Sequence, residues 1–258
     1  DFARSVYRGV QDINAAVRYM RKNADKLGID PNKIYLVGNS AGAILSLENI
    51  YTSKETDFPN YIQKKNTPDL GSLNTYGEQG VDSHANGAVA LWGAIHNPNI
   101  IGDNKTPVFL VHGTDDETVL FKTGHPLANA NPMIANMLPN SMAALASLIK
   151  FDIGTPTLFG SFVIDSVLKA KKIDHETYFV ERAYHEFYDE PEYEKPVRTK
   201  VFDFLYKLAS ADSPISIGKR AVARESGIQM LHGNKSFTVT RGHALKYESL
   251  DRKSGSAG

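Results

Sequence analysis

The chain contains no cysteine. That absence excludes disulfides, thiolate zinc sites and a cysteine nucleophile. Net charge is absent too, because 29 Lys+Arg balance 29 Asp+Glu. There is then no overall electrostatic case for nucleic acid or an anionic membrane as a partner. No apolar run reaches the ~18–20 residues of a membrane span. Asp1-Phe2-Ala3-Arg4 has neither an initiator Met nor a signal-peptide core, so targeting and compartment are not legible. No repeat period is visible. What is present is ordinary globular material: 41% hydrophobic and 22% charged residues, with 20 Gly and 12 Pro in 258 residues. This composition excludes collagen-like, coiled-coil and wholly disordered chains, and it fits one α/β domain with appended pieces.

Charge is uneven along the chain. Residues 213–258 carry 8 Lys+Arg against 3 Asp+Glu. The shift coincides with Ala209-Ser210-Ala211-Asp212-Ser213-Pro214, small and polar like a linker. The expected division is a main domain over 1–212 and a linker with a partial β-hairpin over 213–258. In that tail Gly227–Leu231 and Ser236–Thr240 flank a turn at His232-Gly233-Asn234.

Val6, Val10, Ile13, Val17, Met20, Ala24 and Leu27 step by four and three, which predicts one helix with a single apolar stripe. Gly28 sits where a C′ residue belongs, before the turn Asp30-Pro31-Asn32. Ile34–Val37, Ala88–Trp92, Val108–Val111 and Glu176–Val180 are short runs rich in strand formers. Runs without polar alternation predict strands buried on both faces, as in a parallel sheet. Helical stretches at 43–51, 162–171 and 197–208 lie between or after them. The alternation implies βαβ units, right-handed crossovers and a site along the carboxyl edge of the strands.

After the first strand the sequence reads Gly38-Asn39-Ser40-Ala41-Gly42 and continues as a helix. This is a Gly-x-Ser-x-Gly nucleophile elbow in the strand–turn–helix context it requires. Glycines two residues before and after the serine are expected because the sharp turn leaves no room there for side chains. A serine hydroxyl needs a base, and the base needs an orienting acid. His112-Gly113-Thr114-Asp115-Asp116-Glu117 follows a strand and offers three acids. Glu181-Arg182-Ala183-Tyr184-His185 follows another and offers the base. The order serine, acid, histidine is the one used on α/β-hydrolase sheets. His112 reads as shaping its loop rather than reacting. His175 lies at the wrong end of its strand, and His84 and His96 flank the second strand.

Residues 1–208 resemble the C-terminal part of an esterase of the α/β-hydrolase superfamily, of the carboxylesterase and hormone-sensitive-lipase-like kind. Ile29-Asp30-Pro31-Asn32-Lys33-Ile34 leading into the elbow is close to that family's wording, and His112-Gly113-Thr114-Asp115-Asp116 is similar to its acid loop. The register of that loop selects Asp116. Leu158-Phe159-Gly160-Ser161 before a helix is similar to secreted bacterial members. The resemblance implies a mostly parallel sheet with helices on both faces and a short β-rich tail. It implies catalysis by Ser40, Asp116 and His185, with the Ala41 amide in the oxyanion hole and Gly38, Asn39 and Gly42 forming the elbow. It further implies that roughly four strands and the loop holding the second oxyanion donor precede Asp1. Residues 129–151, rich in Met and Leu, are a candidate cap over an acyl pocket.

The expected activity is cleavage of carboxylic esters through an acyl-enzyme. The expected substrate is a small-molecule or polysaccharide-linked ester, such as an acetylated or feruloylated plant polysaccharide. No metal, cofactor, nucleic acid or membrane span is expected. Two other readings stay open: a serine peptidase or other acyl-transfer enzyme, and a non-catalytic hydrolase-like binding protein.

Overall fold

The computed structural model describes residues 2–59, 68–127 and 155–210, together with the backbone of 228–232, 235–239 and 246–248. The candidate cap at 129–151 lies outside the described residues. The chain divides into two compact units, Asp1–Ala211 and Asp212–Gly258.

In the first unit α1 (Phe2–Lys22) is followed by a single turn, α2 (Ala24–Leu27), which Gly28 ends in the left-handed conformation at φ 67°. The single long helix expected here is therefore interrupted at Asn23. The stripe narrows as well, since Met20 and Leu27 are exposed. Tyr7, Val10, Gln11, Asn14, Val17 and Arg18 form the buried face instead. Its polar members bond a loop that periodicity does not report. Gln11 Nε2 donates to the carbonyls of Leu70 (2.7 Å) and Ser72 (2.8 Å), and Arg18 donates to those of Tyr76 and Glu78.

The central sheet is parallel. Its strands are β1 (Tyr35–Asn39), β2 (Gly87–Leu91), β4 (Val108–Gly113) and β7 (Glu176–Val180), in the order β1-β2-β4-β7. Register pairs Val37 with Val89, Val89 with Phe109, and Val111 with Tyr178. β2 and β4 are almost wholly buried, which explains their unbroken apolar character.

Neighbouring residues of a strand face opposite sides. On one side Leu36, Ala88, Ala90, Val108 and Leu110 join Ala43, Leu47, Ile164 and Leu168 in the main core. Those partners belong to α3 (Ala41–Tyr51) and α4 (Ser161–Ala170). On the other side Phe109 meets Phe204 of α5 (Pro191–Ser210), ring centroids 5.6 Å apart. Helices thus cover both faces, and α1 packs on α3.

A second, antiparallel sheet was not anticipated. β3 (Ala94–Ile95), β6 (Leu158–Gly160) and β5 (Thr123–Gly124) pair in the order β3-β6-β5. Ladders of two residues are too short to show a period in sequence. The second unit contains β8 (Ile228–His232), β9 (Lys235–Val239) and β10 (Lys246–Glu248), an antiparallel sheet of order β10-β9-β8.

Candidate active site

Ser40 stands between the end of β1 and the start of α3 with φ 51° and ψ −119°, a strained backbone for a residue with a side chain. Two bonds hold the turn: Ser40 N donates to Leu91 O (3.0 Å), and Ser40 O accepts from Ile44 N (3.0 Å). Gly38 is needed sterically, because a Cβ there would overlap the Gly42 carbonyl. The matching expectation for Gly42 is corrected, since a Cβ on Gly42 would have nothing within 4 Å. The crowding comes from the Gly42 backbone meeting Gly38, so only one of the two positions requires glycine. Ala41, the first residue of α3, carries an amide at a position where helices have no internal acceptor.

Asp116 and His185 come from the loops after β4 and β7, neighbours at one edge of the sheet. Those loops are laced together. Thr114 N donates to Val180 O (2.9 Å), Asp115 N to Ala183 O (3.1 Å), and Arg182 N to Thr114 Oγ1 (2.8 Å). Gly113 is the close-approach point, where a Cβ would run into the carbonyls of Ala183 and Tyr184. Arg182 and Glu186 turn the histidine loop with φ of 59° and 58°.

The resulting geometry is a continuous chain. His185 Nδ1 donates to Asp116 Oδ2 (2.7 Å), and Ser40 Oγ donates to His185 Nε2 (2.9 Å). A carboxylate only accepts, which fixes the proton on Nδ1 and leaves Nε2 as acceptor for the hydroxyl. Asp115 and Glu117 are exposed, and the Asp115 carboxylate accepts from Thr114 Oγ1 (3.0 Å) rather than from a histidine. Asp116 is buried. Burial alone would push its carboxyl up, but the hydrogen bonds from His112 and His185 outweigh this and bring it down to about 2.

Two buried residues, one beside His185 and one farther along α3, carry no motif in the sequence. Trp92, buried with φ 46°, stacks on Tyr188 (5.0 Å) and meets the His185 ring edge-on (6.0 Å). Glu48, fully buried in α3, accepts from His96 Nδ1 (2.8 Å) and Thr52 Oγ1 (2.9 Å). Burial works against the charged His96, and the Glu48 carboxylate more than offsets it, raising the His96 pKa. Neither residue announces itself locally, since each is defined by partners distant in sequence.

A cavity of about 210 Å³ opens beside Ser40 and Ala41, lined mainly by Phe2, Val6, Ile44, Leu45, Val119 and Pro126. Among the described residues no three His, Asp or Glu side chains are grouped to hold a metal ion. No described helix is long and apolar enough to cross a membrane.

Comparison with known proteins gives a family model described as BD-FAE over residues 6–76, a range that holds Ser40 but not Asp116 or His185. An endo-1,4-beta-xylanase B of Butyrivibrio fibrisolvens is 31% identical over 136 residues, covering 47% of this chain and 21% of the relative. Esterase 2 of Thermogutta terrifontis, solved as its tabun adduct, is 22% identical with a TM-score of 0.45, covering 79% of this chain and 65% of that one. An acetyl ester-xyloside bifunctional hydrolase of Caldicellulosiruptor lactoaceticus is 18% identical with a TM-score of 0.44, covering 75% and 64%. The chain therefore spans only part of each relative. The parallel sheet, the sharp turn at Ser40 after β1 and the order of the loops make the fold that of an α/β-hydrolase.

Proposed function

We propose that this chain carries the catalytic centre of a carboxylic ester hydrolase acting through Ser40, His185 and Asp116. His185 Nε2 takes the Ser40 proton as Oγ attacks the ester carbonyl. The electron pair of the carbonyl moves to its oxygen, where the Ala41 amide donates to the developing charge. Collapse expels the alcohol, which takes the proton from His185 and leaves an acyl group on Ser40. Water, deprotonated by His185, then attacks the acyl-enzyme, and Ser40 recovers its proton as the acid leaves. Asp116 holds the Nδ1–H tautomer throughout and stabilises the imidazolium.

The observation that carries this reading is the unbroken hydrogen-bonded chain from Ser40 through His185 to Asp116, at 2.9 and 2.7 Å. The apolar cavity next to the nucleophile supports a short acyl group or ring on the acid side of the ester. The relative named as a xylanase supports a polysaccharide on the alcohol side.

The test is labelling and rate together. A fluorophosphonate should modify Ser40, and Ser40→Ala should lower kcat on p-nitrophenyl acetate by several orders of magnitude, up to about 10⁶. Labelling at another serine, with Ser40→Ala still active, would remove the assignment.

A further inference from the structure

Asp116 is held from behind by a second histidine. His112 is fully buried, and its Nε2 lies 2.8 Å from Val119 O and 3.1 Å from Asp116 Oδ2. Both neighbours are acceptors, so Nε2 carries a hydrogen shared between them. Nδ1 lies 2.8 Å from Ser161 Oγ. That hydroxyl has one hydrogen and two acceptors in view, His112 Nδ1 at 2.8 Å and Gly93 O at 3.5 Å. The shorter contact wins. Ser161 therefore donates to Nδ1 and fixes the His112 tautomer that points a hydrogen at the acid.

We propose that Ser161 and His112 form a positioning relay that locks the Asp116 carboxylate in the orientation His185 requires. The proposal rests on the reading of Ser40, His185 and Asp116 as the catalytic set. The geometry gives the relay a specific target. Oδ1 of Asp116 accepts from the amides of Thr118 (2.8 Å) and Val119 (2.9 Å), whereas Oδ2 accepts from the two imidazoles. Without His112, the oxygen that faces His185 has no second tether. His112 and His185 are the titratable groups that face Asp116, while Asp115 and Glu117 turn to solvent. The relay is itself packed in place. Phe121 meets the His112 ring edge-on at 5.5 Å, and Ser161 is the first residue of α4, fully buried. Two imidazoles from separate segments thus converge on one carboxylate oxygen, and Ser161 and Phe121 hold the His112 ring in place.

The experiment measures kcat, KM and the pH dependence of kcat/KM on p-nitrophenyl acetate for the full-length protein and four variants. His112→Leu removes the donor. His112→Gln restores one, because its amide nitrogen reaches the position of Nε2. Ser161→Ala releases the tautomer while sparing the packing, and Ser40→Ala is the control. His112→Leu should lower kcat by about 10²-fold, the scale of an ångström-sized misplacement, with KM within about threefold. Its acidic limb should move to lower pH, because a wandering carboxylate supports the imidazolium less. His112→Gln should recover most of the rate and return the limb. Ser161→Ala should lose about three- to tenfold in kcat and shift the limb the same way. Ser161→Ala keeps the test decisive should His112→Leu not fold. Unmoved limbs, a shift to higher pH, or His112→Gln no better than His112→Leu would overturn the relay alone. Activity surviving in Ser40→Ala would instead overturn the catalytic reading and the relay with it.

Discussion

Asp116 accepts four hydrogen bonds on its two oxygens, two from backbone amides and two from imidazoles. Asp115, one residue earlier, faces solvent. The contrast separates two residues that sequence alone leaves adjacent and alike. Replacing the orienting acid by Asn keeps its shape but favours the wrong histidine tautomer, which costs about 10⁴ in kcat in a serine-protease triad. Asp116→Asn should lose activity on that order, and Asp115→Asn less than about tenfold; the reverse order in a steady-state assay would move the role to Asp115. Stability gives an independent readout of the same group. The Asp116 carboxyl is brought down to about 2 in the folded state against about 3.9 unfolded. Its contribution is therefore complete above pH ~4 and is lost as pH falls toward 2, on the order of 2 kcal/mol in all. Denaturant melts should show the gap between wild type and Asp116→Asn narrowing over that window.

At the scale of elements, the elbow is a contact between two pieces of backbone. Gly38, the penultimate residue of β1, lies against the first turn of α3, and its missing Cβ is what lets the Gly42 carbonyl approach. Gly42 has open space, and in a helix Ala is favoured over Gly by up to about 1 kcal/mol. Gly38→Ala should therefore destabilise the fold by several kcal/mol or prevent folding, while Gly42→Ala should leave the melting temperature unchanged or raised. Equal losses in a thermal melt would show that the elbow is crowded on both sides.

The same elements show what a sequence can display. β2 and β4 were legible because burial on both faces leaves unbroken apolar runs, whereas β1, expected to be buried on both faces, is only partly covered; the elbow was legible because its glycines and serine are nearly contiguous. Met20 and Leu27 fit a stripe by spacing, yet the helix breaks at Asn23 and both are exposed. Trp92 beside His185, and Ser161 behind His112, depend on meetings between distant segments. No periodicity encodes them. Gln11 and Arg18 were hidden for a related reason. They are polar residues on a buried face, satisfied by carbonyls about 60 residues away.

At the scale of the whole molecule, the parallel sheet is asymmetric about its nucleophile strand. β1 pairs only with β2 among the described strands, so one row of its amides and carbonyls has no strand partner there. Val37, on that strand, is 39% exposed, whereas its register partner Val89 is fully buried. On the α1–α2 segment Tyr19, Met20 and Leu27 add further exposed apolar surface. An unpaired apolar edge is a template for pairing with another chain, and a lysine on such an edge opposes it. Residues 1–258 expressed by themselves should therefore elute above monomer mass in size-exclusion chromatography with light scattering, increasingly so at higher concentration. Val37→Lys should move the population toward monomer without lowering the melting temperature by more than a few degrees, because its side chain already meets solvent. A concentration-independent monomer in the unmodified chain would show that this edge is protected by residues beyond those described, and that the exposure of Val37 has no bearing on association.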